Sequence, residues 1–215
     1  MRIVCLSDTH SRHKKIKDIP DGDVLIFAGD VTPRGELENL GSFNKWLSRW
    51  PHKHKLLVAG NHDWCFARER LLSIDMIDNA TYLQDEEVVI DGIKFYGSPW
   101  QPEFMNWAFN LPRGEKLAEV WSHIPDDTDV LITHCPPYGK LDLVINEYSD
   151  ENGEMVGCKD LAERIMSLKK LKLHVFGHIH CSHGECFDQN SVHYVNASIC
   201  TEEYLADNRP IIVDI

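Results

Sequence analysis

Histidine, aspartate and asparagine recur in five short blocks along the chain. They are Asp8-Thr9-His10, Gly29-Asp30, Gly60-Asn61-His62-Asp63, Thr133-His134 and Gly177-His178-Ile179-His180. Oxygen and nitrogen donors of these types suit Mn²⁺, Fe, Zn²⁺ or Ni²⁺, and no cysteine occupies a block position. Asp8, His10, Asp30, Asn61, His134, His178 and His180 make seven donors, too many for one ion with open coordination. Two ions about 3.5–4 Å apart, bridged by one carboxylate, would use the set without surplus. Asp30 is the expected bridge, because it needs both oxygens and stands alone after its apolar run. Asp8 and His10, two residues apart, can face one ion from a tight turn. His178 and His180 share that spacing, and each can serve a different ion.

Such a pair of cations acidifies a shared water towards neutral pH and so provides a metal-bound hydroxide nucleophile. It also binds the non-bridging oxygens of a phosphate and offsets charge gained during an in-line displacement. A leaving alkoxide then needs a proton. His62, next to Asn61, is the expected donor, with Asp63 orienting or charge-stabilising its imidazole. Taken singly, each block also reads as a plain strand exit or turn. Their joint occurrence is what favours the chemistry.

The elements that must position these residues are short apolar runs. Ile3-Val4-Cys5-Leu6 leads to Asp8, and Val24-Leu25-Ile26-Phe27-Ala28 leads through Gly29 to Asp30. Leu56-Leu57-Val58-Ala59 leads to Asn61, Val130-Leu131-Ile132 to His134, and Leu173-His174-Val175-Phe176 to His178. Continuous runs of this kind are what strands buried on both faces look like. Helical patterns are expected after Thr32-Pro33 through Leu37, Leu40, Phe43 and Leu47, and over 64–76, 115–123 and 158–170. Further strands, partly antiparallel, are expected at 87–90, 93–96, 192–195 and 211–213, with Asp91-Gly92 as a hairpin turn. The result is an α/β architecture of mixed sheets sandwiched by helices. Ligands bind at the C-terminal ends of parallel strands, so five strand ends would bring the donors to one crevice.

Bulk properties narrow the partners. A chain of 215 residues, 43% hydrophobic and 26% charged, fits one soluble domain over 1–215. A net charge of −12 disfavours a long nucleic acid and makes a small or neutral-bodied phosphate ester the easier substrate. Met1 to Leu6 is too short an apolar stretch for a signal peptide, and no run is long enough to span a membrane. The seven cysteines form no CxxC pair and suit a reducing compartment, so a cytoplasmic location is expected.

The five blocks, in this order and with 22, 31, 73 and 44 residues between lead ligands, resemble the signature of calcineurin-like metallophosphoesterases. The resemblance implies a four-layer α/β/β/α sandwich, a dinuclear metal site and phosphoester hydrolysis. Tyr96-Gly97-Ser98-Pro99-Trp100-Gln101-Pro102, the stretch from Trp107 to Gly114, Asn196-Ala197-Ser198-Ile199-Cys200-Thr201 and the terminal Arg209 to Asp214 are similar to a narrower group, the metallophosphoesterase-domain-containing subfamily. That group is associated with hydrolysis of cyclic nucleotides and other phosphodiesters. Some members replace the second His of the Gly-His-x-His block by Gly and are weak enzymes, whereas this chain keeps His180. The expected cofactor is two divalent ions, Mn²⁺ first and Fe, Zn²⁺ or Ni²⁺ as alternatives.

Trp100, Phe109 and Asn110 fall in a loop-rich stretch and are candidates for a substrate wall, with plain packing as the alternative. Phosphodiester hydrolysis is the leading expectation. A phosphomonoesterase or protein phosphatase, or a nucleotide-binding protein with little turnover, is the alternative.

Overall fold

The computed structural model describes residues 1–145 and 153–215. Two mixed sheets dominate it. In the first, strand Ile211–Asp214 runs antiparallel beside Arg2–Leu6, followed by the parallel strands Val24–Ala28, His54–Val58 and Thr81–Tyr82. The second has the order Gly184–Phe187, His193–Asn196, Leu173–Phe176, Val130–Thr133, Ile93–Ser98 and Glu86–Ile90. Its four inner strands are parallel and its two edge strands antiparallel.

Strand alternation explains the layers. Successive side chains point to opposite faces, so a strand that is apolar throughout must be covered on both sides. Val4, Leu6, Leu25 and Phe27 face helix Leu37–Leu47, meeting its Leu40, Phe43 and Trp46. Ile3, Cys5, Val24 and Ile26 face the other way and pack against Phe95, Val130, Ile132 and Val175 of the second sheet. The reverse side of that sheet, with Tyr96, Leu131 and Phe176, is covered by Leu117 and Trp121 of helix Glu115–Ser122 and by Leu161 and Ile165 of helix Lys159–Ser167. The four layers are therefore helix, sheet, sheet, helix.

Local differences from the sequence expectations have identifiable causes. The first helix begins at Leu37 and not at Pro33, with Glu36 as its extended N-cap residue. The helix expected over 64–76 is two pieces, Trp64–Arg68 and Arg70–Met76. Glu69 leaves the helical region at φ −132°, and Arg70 aims its guanidinium at Gln84 and Glu86. The helix expected over 158–170 runs only Lys159–Ser167; Cys158 caps it, its Sγ accepting from the Leu161 amide. The Asp91-Gly92 hairpin is present, both residues having positive φ as a tight two-residue turn requires. Among the described residues, no helix is long and apolar enough to cross a membrane.

The C-terminal edges of the two sheets are joined. Ser7 and Ser198 form a parallel bridge, and the amides of Ile199 and Cys200 donate to the carbonyls of Ser7 and Asp8. The Gly177 amide donates to the His134 carbonyl in the same region. The loops that carry the five blocks all leave from this seam.

Candidate metal centre

The loops after the first two strands are registered by backbone bonds. The Asp8 amide donates to Gly29 O, that of His10 to Asp30 O, and that of Ser11 to Val31 O, at 2.9–3.0 Å. Asp8, His10, Asp30 and His178 all adopt positive φ, a conformation uncommon outside glycine that persists where neighbours hold it. Glycines make the close approach feasible. A Cβ on Gly177 would stand 2.0 Å from an Asp8 carboxylate oxygen, and one on Gly60 2.2 Å from Asp30 Oδ1.

Within this frame the side chains converge. Asp8, His10 and His180 place ligand atoms within 4.8 Å of one another, as do His10, Asp30 and His62, and Asp8, Asp30 and His134. Asp30 Oδ2 stands 3.7 Å from His10 Nε2, 3.4 Å from His134 Nε2 and 3.9 Å from His62 Nε2. Asp8 Oδ1 lies 3.3 Å from His180 Nε2. Asn61 Oδ1 is 2.9 Å from His134 Nε2. The His178 ring packs edge-on against His134 at 5.0 Å between centroids, while its backbone amide donates to Asp8 Oδ2. His178 contributes no nitrogen to the three-donor groups.

The hydrogen bonds define which ring nitrogens are free. A backbone carbonyl can only accept, so His134 Nδ1 facing Ala28 O and His180 Nδ1 facing Thr201 O must both carry hydrogen. Their Nε2 atoms face the cluster and would offer lone pairs to a cation that displaced the proton, the arrangement expected of metal-ligating imidazoles. His10 Nε2 and His180 Nε2 face each other at 3.2 Å. Asp8 Oδ2 accepts from Ser198 Oγ at 2.9 Å and from the His178 amide, whereas Asp8 Oδ1 has no hydrogen-bond partner among the described residues. An orphaned buried carboxylate oxygen beside inward-facing ring nitrogens is a set that a cation satisfies. The residues present fit divalent metal.

Charge in the cage follows the same pattern. Burial opposes ionisation of Asp8 and Asp30, but His180 beside the first and His134 beside the second hold both carboxyls well below the ordinary range. Burial likewise works against charge on His134, yet Asp30 and Asp8 outweigh it and raise that ring to about 9. Burial pushes His10 down to about 4 and His178 to about 3.

His62 sits at the rim. Its amide donates to Asp30 Oδ1 at 2.8 Å, and its Nδ1 donates to Pro33 O at 2.6 Å, leaving Nε2 towards the cluster. The ring stacks on Trp107, with centroids 4.1 Å apart, and meets His10 edge-on. Asp63 does not orient that ring, contrary to the sequence expectation. Its carboxylate accepts from the amides of Val31, Thr32 and Gly60 and from Thr32 Oγ. It ties two ligand-bearing loops together, and these donors occupy its oxygens. Burial, helped by Asp30, pushes Asp63 up to about 6.

Trp100, Phe109 and Asn110 do not form a wall of this cluster. Trp100 donates from its indole to Asp85 and packs edge-on with Phe109, which is buried in the first helix–sheet layer. Asn110 bonds Gln101 and the carbonyls of Phe104 and Met105, bracing its own loop. Among the described residues, the aromatic side chains that meet the cluster are Trp107 and Tyr204, the latter edge-on to His10 and His180. Trp107 lay inside a stretch the sequence singled out. Tyr204 carried no signal, because its position depends on a turn with φ 58°. His183 bonds the Arg209 carbonyl and stands outside the cluster.

A family model described as calcineurin-like phosphoesterase matches residues 1–182. The human protein called metallophosphoesterase domain-containing protein 1 is 41% identical over 237 residues, covering 100% of this chain and 71% of that one. A Caenorhabditis elegans relative, UPF0046 protein K07C11.7, is 39% identical over 226 residues, covering 99% and 74% respectively. Among solved structures, a dimetal phosphatase from Danio rerio is similar with a TM-score of 0.54 at 13% identity, over 91% of this chain and 86% of that one. That last likeness concerns the fold. The chain belongs to the calcineurin-like phosphoesterase family. Its members hydrolyse phosphoesters with divalent metals, and the donor groups for such metals are in place here.

Proposed function

We propose that this chain hydrolyses small phosphodiesters, cyclic nucleotides among them, with two divalent ions, Mn²⁺ by preference. Asp8, His10, Asp30, Asn61, His134, His178 and His180 are the proposed ligands, with Asp30 as the bridge. The observation that carries the reading is Asp30 Oδ2 lying within 4 Å of three histidine Nε2 atoms while Asp8 Oδ1 remains unpartnered beside a fourth. When bound, such ions polarise phosphoryl oxygens and acidify water.

The chain's own groups then have separate tasks. His62 donates a proton from Nε2 to the departing oxygen, its ring held by the Pro33 carbonyl and the Trp107 face. Asp63 keeps the Val31–Thr32 and Gly60 loops together, and so sets the distance between Asp30 and Asn61. Seven free cysteines suit a reducing compartment such as the cytoplasm.

The test compares kcat/KM for bis-(p-nitrophenyl) phosphate and p-nitrophenyl phosphate with Mn²⁺ added and then chelated. Diester preference and loss on chelation are expected. Preference for the monoester by a large factor overturns the diester reading, and activity surviving chelation overturns the metal reading.

A further inference from the structure

A cleft of about 1090 Å³ opens beside the donor cluster. Tyr204 belongs to both: its ring lies 4.9 Å from His10 and 5.3 Å from His180, and it also lines the cleft. The Arg12 guanidinium lies 5.6 Å from the Tyr204 ring centroid and donates to the His10 carbonyl at 3.2 Å. Lys15, Lys17 and Arg209 line the same space, against the two carboxylates of Asp18 and Asp207. Among the described residues, none of the four cations is ion-paired. In a chain of net charge −12, four basic side chains in one cleft oppose the average field and mark a place where an anion is favoured. Ile16 and Leu205 add apolar lining, so the occupant has an organic body as well as charge.

We infer that this cleft receives the part of the substrate beyond the scissile phosphate, and that this part carries a second phosphate. The substrate class is then a nucleoside phosphodiester with an additional phosphate group. Arg12 is the residue that links the two regions, since it touches the backbone of a proposed ligand and faces the cleft. The inference rests on the phosphodiesterase reading above but adds a separate binding determinant.

The experiment uses thymidine 5′-(p-nitrophenyl phosphate) and the same ester carrying a 3′-phosphate. Several exposed charge contacts together are expected to favour the phosphorylated ester by about tenfold in kcat/KM, mostly through KM, with the preference shrinking as salt rises. The double variant Arg12→Gln/Arg209→Gln is expected to bring the ratio of the two esters close to one. Calorimetric binding of thymidine 3′,5′-bisphosphate and thymidine 5′-monophosphate in EDTA reads the cleft without turnover, and the same preference, lost in the variant, is expected. Equal kcat/KM and equal affinities overturn the cleft assignment alone. Absence of turnover with the affinity preference intact overturns the phosphodiesterase reading alone.

Discussion

Replacing Ser198 by Ala tests whether the hydrogen bonds around Asp8 define the metal centre. Asp8 is fully buried and divides its oxygens: Oδ2 accepts from Ser198 Oγ at 2.9 Å and the His178 amide at 3.0 Å, and Oδ1 faces His180. Ser198 is itself held, because its amide donates to Asn196 Oδ1, and its single hydroxyl proton is shared between that oxygen at 2.8 Å and Asp8 Oδ2. Removing the hydroxyl leaves Oδ2 with the His178 amide and frees the carboxylate to rotate away from the cation side. Loss of an outer hydrogen bond to a ligand typically weakens metal binding 10–100-fold, or about 1.4–2.8 kcal/mol. The assay is calorimetric titration of the metal-free Ser198→Ala protein with Mn²⁺, beside urea unfolding in EDTA to confirm the fold. An affinity within about twofold of wild type, in a protein that unfolds cooperatively, refutes the claim that Ser198 holds Asp8 in its binding orientation.

Three further perturbations probe other parts of the argument. His62→Ala is expected to lower kcat by about 10²–10⁴-fold with metal content unchanged, since the bond to Asp30 comes from the His62 backbone and survives; loss of metal would instead make His62 a ligand. Gly60→Ala places a Cβ 2.2 Å from Asp30 Oδ1 and 2.6 Å from Asp30 N, and backbone cannot step aside. Metal binding should collapse and stability fall by roughly 1–3 kcal/mol or more, and a variant with normal Mn²⁺ affinity contradicts this packing. His174 concerns pH. Burial holds its ring at about 3 against 6.5, and Nε2 donates to Thr133 Oγ, whose own proton goes to the Cys135 carbonyl. Between those values the unfolded chain binds a proton that the folded one refuses. His174 therefore contributes stability above pH 6.5 that is lost on acidification, by about 1.4 kcal/mol per pH unit within the window. Urea unfolding from pH 6 to 4.5 should show a shallower slope in His174→Gln, and an unchanged slope would rule out this source.

Much of the architecture was legible because its cause is local. A strand covered on both faces must be apolar at every position, so Val24–Ala28 and Val130–Thr133 announced themselves as continuous runs. The Asp91-Gly92 turn was equally readable, since few residues tolerate two positive φ values in succession. The two-residue strand Thr81–Tyr82 and the edge strand Gly184–Phe187 escaped notice. The first is too short to show a period, and the second carries a half-exposed mixture of Gly, Glu, Cys and Phe.

The site divides in the same way. Residue type and position at strand ends were enough to nominate Asp8, His10, Asp30, His134 and His180, because donor chemistry belongs to the side chain and the topology delivers strand ends to one seam. The roles of the neighbours were decided only by tertiary structure. Asp63 is next to His62 in the chain, yet three amides and a hydroxyl from folded loops claim its carboxylate. Trp107 reaches His62 across 45 residues and Tyr204 reaches His10 across 194, contacts without any trace in local spacing. Proximity along the chain constrains what two side chains can do, but competition among all the partners that folding brings near determines what they do.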